Sequence, residues 1–206
     1  MKALPVLALL AALTGCGSSV AASPPAPAPS ASAPSASAPS ASAPSASAPS
    51  ASATEWKIDP SFNSDDLAWI ELMIPMDDQL LRVLAMAEKQ AADPAVRAFA
   101  TAVAAGHRTE VARFKATRTR SGLPVRNPHE GHDMPGMMTE PEIVALGKTS
   151  GPAFDQLFVT NLKEHLDESI LLAENITKTG KDAATKKLAV SIMSSRAAQL
   201  KQLAAL

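Results

Sequence analysis

The chain is written twice. Residues 66–111 slide by 89 positions onto 155–200, and the apolar positions coincide without a gap. Trp69 meets Phe158, Ile70 meets Val159, Met73 meets Leu162 and Leu81 meets Ile170. Further on, Phe99 meets Leu188, Val103 meets Ile192 and Val111 meets Leu200, while Asp66 meets Asp155 and Asp93 meets Asp182. Each copy is a pair of amphipathic helical runs joined by a short turn. One αα-hairpin leaves its apolar stripe open to water, and two of equal design close it as a four-helix bundle. No segment alternates as a strand does, so the expected fold class is all-α.

Capping residues place the helices. Asn63 before "SDD" is an N-cap, and the first helix runs to about Ala92. Asp93 followed by Pro94 opens the second, which ends near Gly122. "TEPE" has the form of a capping box for a short helix closed by Gly147. The third long helix follows Pro152 and ends at Gly180, and the fourth starts at Asp182.

The turns also set heights. Met76 and Asp77 lie about as far before the first turn as His107 lies after it, on the order of 22 Å at the helical rise. His165 and Arg196 repeat this in the second hairpin. Met76, Asp77, His107, His165 and Arg196 therefore share one level, on stripes that are otherwise apolar. Polar groups there cost free energy unless they are paired. Asp77 can pair with Arg196 or with His107, and Asp77, His107 and His165 are each candidate metal ligands, His165 otherwise being a satisfied core histidine. Met73, Met76 and His165 together would make a reduced site for Cu(I). Pro75, inside the first helix, removes a backbone hydrogen bond and is expected to kink the helix beside Met76.

Before the bundle the chain is of another kind. Lys2 and the run "ALPVLALLAAL" make a signal segment too short to span a bilayer as an ordinary helix. "LTGC", ending at Cys16, resembles a lipobox, which implies cleavage after residue 15 and a lipid anchor on Cys16. Gly17, rather than Asp, then resembles the outer-membrane sorting pattern, facing the periplasm in a diderm. The alternative is ordinary secretion with cleavage near "SVAAS". Residues 16–54 form a linker with SASAP repeating every five residues, uncharged and with nothing large to bury. Such a chain stays extended and unfolded, with a reach on the order of 100 Å.

Residues 55–206 remain for one bundle domain. Cys16 is the only cysteine, so any metal in the domain needs His, Met, carboxylate or backbone ligands. Lys2 is the only charge before Glu55, leaving 18 basic and 20 acidic residues in the domain. That balance gives no reason to expect nucleic acid.

The scarce soft ligands gather in one loop, 123–138. The chain has four His and eight Met, and "HEGHDMPGMM" holds two of the first and three of the second. His129 and His132 can share an ion if the chain turns at Gly131. Met134, Met137 and Met138 offer sulfur, which suits Cu(I), while imidazole also accepts Cu(II). The competing reading is that Met137 and Met138 fasten the loop to the bundle and the His are solvated.

"MIP" before the polar level, "AADPAVRAFA" after the first turn and "GHDMPGMMTEPEIVALGKTSGPAFDQLF" resemble the bacterial domain of unknown function 305 family. The resemblance covers nearly all of 63–206. It implies a ferritin-like bundle, export and, in some members, copper binding. Family His-His pairs align with Met76-Asp77 and His165-Leu166, and family Gln residues align with His107-Arg108. Three of the four paired histidines are thus absent here, and Arg196 adds a fixed positive charge at the same level.

Catalysis is not expected. Di-iron bundles use Glu-x-x-His motifs, whereas Ala104 and Leu162 stand three residues before His107 and His165. The expectation is a membrane-tethered, copper-binding or copper-buffering bundle. Its rival is a non-catalytic interaction module that has lost the family metal site and docks an unidentified protein partner.

Overall fold

The computed structural model describes residues 56–206; the signal segment, Cys16 and the repeat linker lie outside them. Five helices follow in order, and no strand occurs among the described residues: α1 (Ser64–Gln90), α2 (Pro94–Ser121), α3 (Glu140–Gly147), α4 (Gly151–Thr179) and α5 (Ala183–Leu203). The caps fall where the sequence puts them. Asn63 and Asp66 form a reciprocal capping box at α1, and the Asp93 and Asp182 side chains accept from Ala95 N–H and Thr185 N–H. α4 begins at Gly151, one residue ahead of Pro152. α1 continues as helix through Pro75.

α1 packs on α2 and α4, α4 on α5, and α5 on α2, which closes a four-helix ring. The two hairpins lock through equivalent contacts. Asp66 Oδ2 accepts from the backbone N–H of Lys181 and Asp182 at the second turn, at 2.9 and 3.0 Å. Asp155, its counterpart, accepts from Ala92 and Asp93 at the first turn, at 2.9 Å each. The start of each hairpin thus holds the turn of the other, and the duplication is a pseudo-twofold of the structure.

Two apolar clusters fill the ring. One joins the later half of α1 to α3 and the early turns of α2 and α4, around Leu84, Phe154 and Phe158. The other joins the early half of α1 to α5, with Trp69 edge-on to Phe114 at 5.0 Å. The strap before α1 closes this end. Phe62 is buried under the Arg120 guanidinium, and Gly122 (φ 81°) passes so close beneath Lys57 that a Cβ would strike its carbonyl oxygen.

Candidate metal centre

Between the two apolar clusters lies a polar layer. Asp77, His107 and Arg196 have no exposed surface, Met76 is 1 % exposed and His165 is 3 % exposed. The five residues expected at one level are all buried. Three of them bring ligand atoms within 4.8 Å of one another, Asp77, His107 and His165, and this is the only such group of His, Cys, Asp or Glu among the described residues.

Asp77 Oδ1 is the hub. His107 Nδ1 lies 3.0 Å away, His165 Nε2 3.5 Å and Arg196 Nη2 3.4 Å. Burial pushes the Asp77 carboxyl up, but the hydrogen bond from His107 and the charge of Arg196 outweigh it. The carboxyl is held well below its usual range and is ionised.

Arg196 is only a distant partner of Asp77. Its short contacts go to Glu110, with Nη2 2.6 Å from Oε2 and Nη1 3.1 Å from Oε1. This bidentate pair satisfies the guanidinium by planar recognition. Ser195 Oγ also donates to Glu110 Oε1 at 3.3 Å. The expected Asp77–Arg196 contact exists at 3.4 Å, yet Glu110 is the principal counterion. Glu110 was not expected at the site. It stands three residues after His107 and so shares that face of α2.

His165 has one proton and two acceptors. Burial pushes its imidazole below the ordinary 6.5, so it is neutral near pH 7. Nδ1 lies 3.1 Å from the Gly136 carbonyl oxygen and donates to it. Nε2 is therefore a bare lone pair, without a hydrogen-bond partner, facing an ionised carboxylate oxygen. Two electron-rich atoms at that separation repel unless a cation stands between them. A ring nitrogen committed to a backbone carbonyl while the other is left bare is also how metal-bound histidines are oriented. Asp77 Oδ2, His107 Nε2 and Arg196 Nε are buried without partners as well. Two imidazoles and a carboxylate are donors that a transition-metal ion could take.

Gly136 ties the loop to this layer. Its φ of 73° is left-handed, and a Cβ there would meet Glu168 Cβ at 2.7 Å. On either side, Met137 packs against the second apolar cluster and Met138 against the first. The Gln79 side chain bonds both Met138 backbone groups, accepting from N–H at 2.8 Å and donating to C=O at 2.6 Å. Met137 and Met138 thus pack the loop against the bundle. Met73 and Met76 are buried in the second apolar cluster. Met134 lines a shallow cavity of about 400 Å³ with Asp133, Gly136 and Glu164.

The loop imidazoles stand apart from the buried group. His129 and His132 share a turn closed by His132 N–H to His129 C=O at 3.1 Å, with ring centroids 6.2 Å apart. They face an open groove of about 790 Å³ together with Pro75 and Arg126. The loop and bundle candidates do not form one cluster. What joins them is a backbone carbonyl rather than a shared set of ligands.

Comparison with known proteins agrees with this architecture. The family profile "Domain of unknown function (DUF305)" matches residues 66–206. No curated relative matches the sequence. A DUF305 fragment from Deinococcus radiodurans superposes with a TM-score of 0.63 at 16% identity, covering 71% of this chain and 97% of that one. A Streptomyces coelicolor DUF305 protein, described by inference as secreted, gives 0.61 at 19% identity, over 68% and 90%. CopM in its Cu(II)-bound form gives 0.57 at 23% identity, over 67% and 92%, and its Cu(I)-bound form is equally similar in fold. The profile covers well over half of the sequence, and the chain belongs to the DUF305 family.

Proposed function

We propose that this protein is an envelope-tethered, non-catalytic helical bundle that binds or buffers a metal ion, with copper as its cargo, at Asp77, His107 and His165. A lipid anchor on Cys16 and the 16–54 linker would hold the domain off the membrane, outer in a diderm, on its periplasmic side. The observation that carries the reading is the bare His165 Nε2, 3.5 Å from the ionised Asp77 oxygen, with Nδ1 already given to Gly136. A buried polar layer of this kind costs stability against an apolar one, and its retention fits a ligand-binding role. The copper-bound forms of CopM, a protein of the same fold, support copper as the cargo.

His107 would meet the ion through whichever ring nitrogen is bare, its single proton staying on the other, since imidazole ligates as the neutral base. Arg196 is kept from dominating the site by Glu110. Loss of the family's histidine pairs leaves three first ligands, fewer than a saturated cage, which suits a carrier that must release its ion.

The 3.4 Å approach of Arg196 to both Asp77 and His107 favours one other reading, a scaffold whose polar layer is satisfied internally and which docks a protein partner. The thermal midpoint separates the two. Under the metal reading, copper raises the midpoint of the wild-type protein and leaves that of His165→Ala unchanged. A midpoint indifferent to copper in both proteins supports the scaffold.

A further inference from the structure

We infer that Arg196 and Glu110 set the charge of the buried layer so that it selects a monovalent soft cation, Cu(I) or its silver analogue, over divalent ions. This rests on the metal reading above and names the class of ion.

The argument is a count of charges around one point. Both imidazoles ligate as neutral groups. Asp77 and Glu110 contribute two negative charges, and Arg196, bonded to Glu110 through two nitrogens, contributes one positive charge. The layer therefore carries one net negative charge. Asp77, His107 and Arg196 have no exposed surface, so solvent does not screen what is left uncompensated. A monovalent ion brings the layer to zero. A divalent ion gives up far more hydration to enter and leaves one positive charge beside a guanidinium whose Nη2 stands 3.4 Å from both Asp77 Oδ1 and His107 Nδ1. Donor type alone would favour Cu(II), the strongest divalent binder for nitrogen and oxygen ligands. Charge is the opposing influence, and Arg196 is the residue that supplies it.

No other charged side chain is buried in this layer: Asp66 and Asp182, the remaining buried acids, belong to the clasp at the second turn. Arg196 takes the place that His107 occupies in the other hairpin, since the two stand 89 residues apart. The duplication thus presents an imidazole on one side of the pseudo-twofold and a fixed cation on the other. Arg196 is a specificity-determining residue and touches the ion only through the field it creates.

The test uses the full-length protein in mild detergent, with His129→Ala and His132→Ala in every sample so that the loop imidazoles do not contribute. Silver(I), zinc(II) and copper(II) are titrated separately. One equivalent of silver should bind in a manner lost on His165→Ala, with zinc and copper(II) weaker by at least about tenfold at that site. Arg196→Leu makes the layer doubly negative without adding a donor atom and should move the preference toward divalent ions by about tenfold or more. Adding Glu110→Leu to Arg196→Leu restores one net negative charge and should restore the monovalent preference, which a general loss of packing would not do. Divalent binding at the His165-dependent site as tight as silver binding overturns the inference, as does a preference unchanged by Arg196→Leu or not restored in the double variant. Absence of His165-dependent binding for all three ions overturns the metal reading itself.

Discussion

The Gly136 carbonyl oxygen accepts a hydrogen bond from His165 Nδ1 at 3.1 Å, so a loop residue fixes which nitrogen of a buried imidazole is left bare. Gly136→Ala should break this arrangement. The new Cβ meets Glu168 and the backbone is left-handed, a combination expected to cost about 1–3 kcal/mol. The thermal midpoint should fall, and metal affinity should fall with it although no ligand has been changed. Unaltered affinity would mean that His165 is oriented by something other than the loop.

The Arg196–Glu110 pair carries stability as well as charge. Glu110→Gln leaves a guanidinium with no exposed surface short of its principal partner. Breaking a buried pair from one side costs about 3–5 kcal/mol. Glu110 retains a little exposure, which places the expected loss at the lower end, about 3 kcal/mol by denaturant unfolding.

The hairpin clasp is unequal, although the sequence repeats it. Asp66 is fully buried and accepts from Asn63, Lys181 and Asp182 N–H. Asp155 is half-buried and accepts from two N–H groups in solvent-exposed bonds. Asp66→Ala should therefore cost about 3 kcal/mol and Asp155→Ala about 1 kcal/mol, hydrogen bonds to charged groups being worth more when buried. Equal losses would show that burial does not separate the two halves.

Acid should unfold the domain in two stages. His165 is depressed below 6.5 in the folded state. Above 6.5 it contributes nothing to the pH dependence. As pH falls through 6.5 the unfolded chain takes up a proton that the folded one refuses, and stability declines. Asp77 and Asp182 are depressed below the ordinary 3.8, so their stabilisation is full above 3.8 and is lost as pH falls further. Urea midpoints between pH 8 and pH 3 check this, and His165→Ala should abolish the upper stage alone.

Much of this was legible from residue order. The offset of 89 predicts the hairpins, the caps predict helix ends to within a residue or two, and distance from the turns predicts that Asp77, His107, His165 and Arg196 share a level. Helix rise is constant, so height follows from counting. Glu110 was missed because a Glu on a helix usually faces solvent, although its spacing from His107 was the available signal. Gly136 was beyond sequence reasoning, since a backbone carbonyl carries no side-chain mark and its position depends on how Met137, Met138 and Gln79 seat the loop. The loop itself reads as a cluster of ligands. Met137 and Met138 pack against the bundle, and His129 and His132 keep to their own turn.

The most direct measurement is calorimetric titration of the full-length protein, as wild type and as His107→Ala/His165→Ala, with Cu(I) under reducing conditions and with Cu(II). The account predicts a saturable equivalent in the wild type that disappears from the double variant while the helical circular dichroism persists. Binding no tighter than about millimolar, some 4 kcal/mol, or tight binding that survives loss of both buried imidazoles, would contradict it.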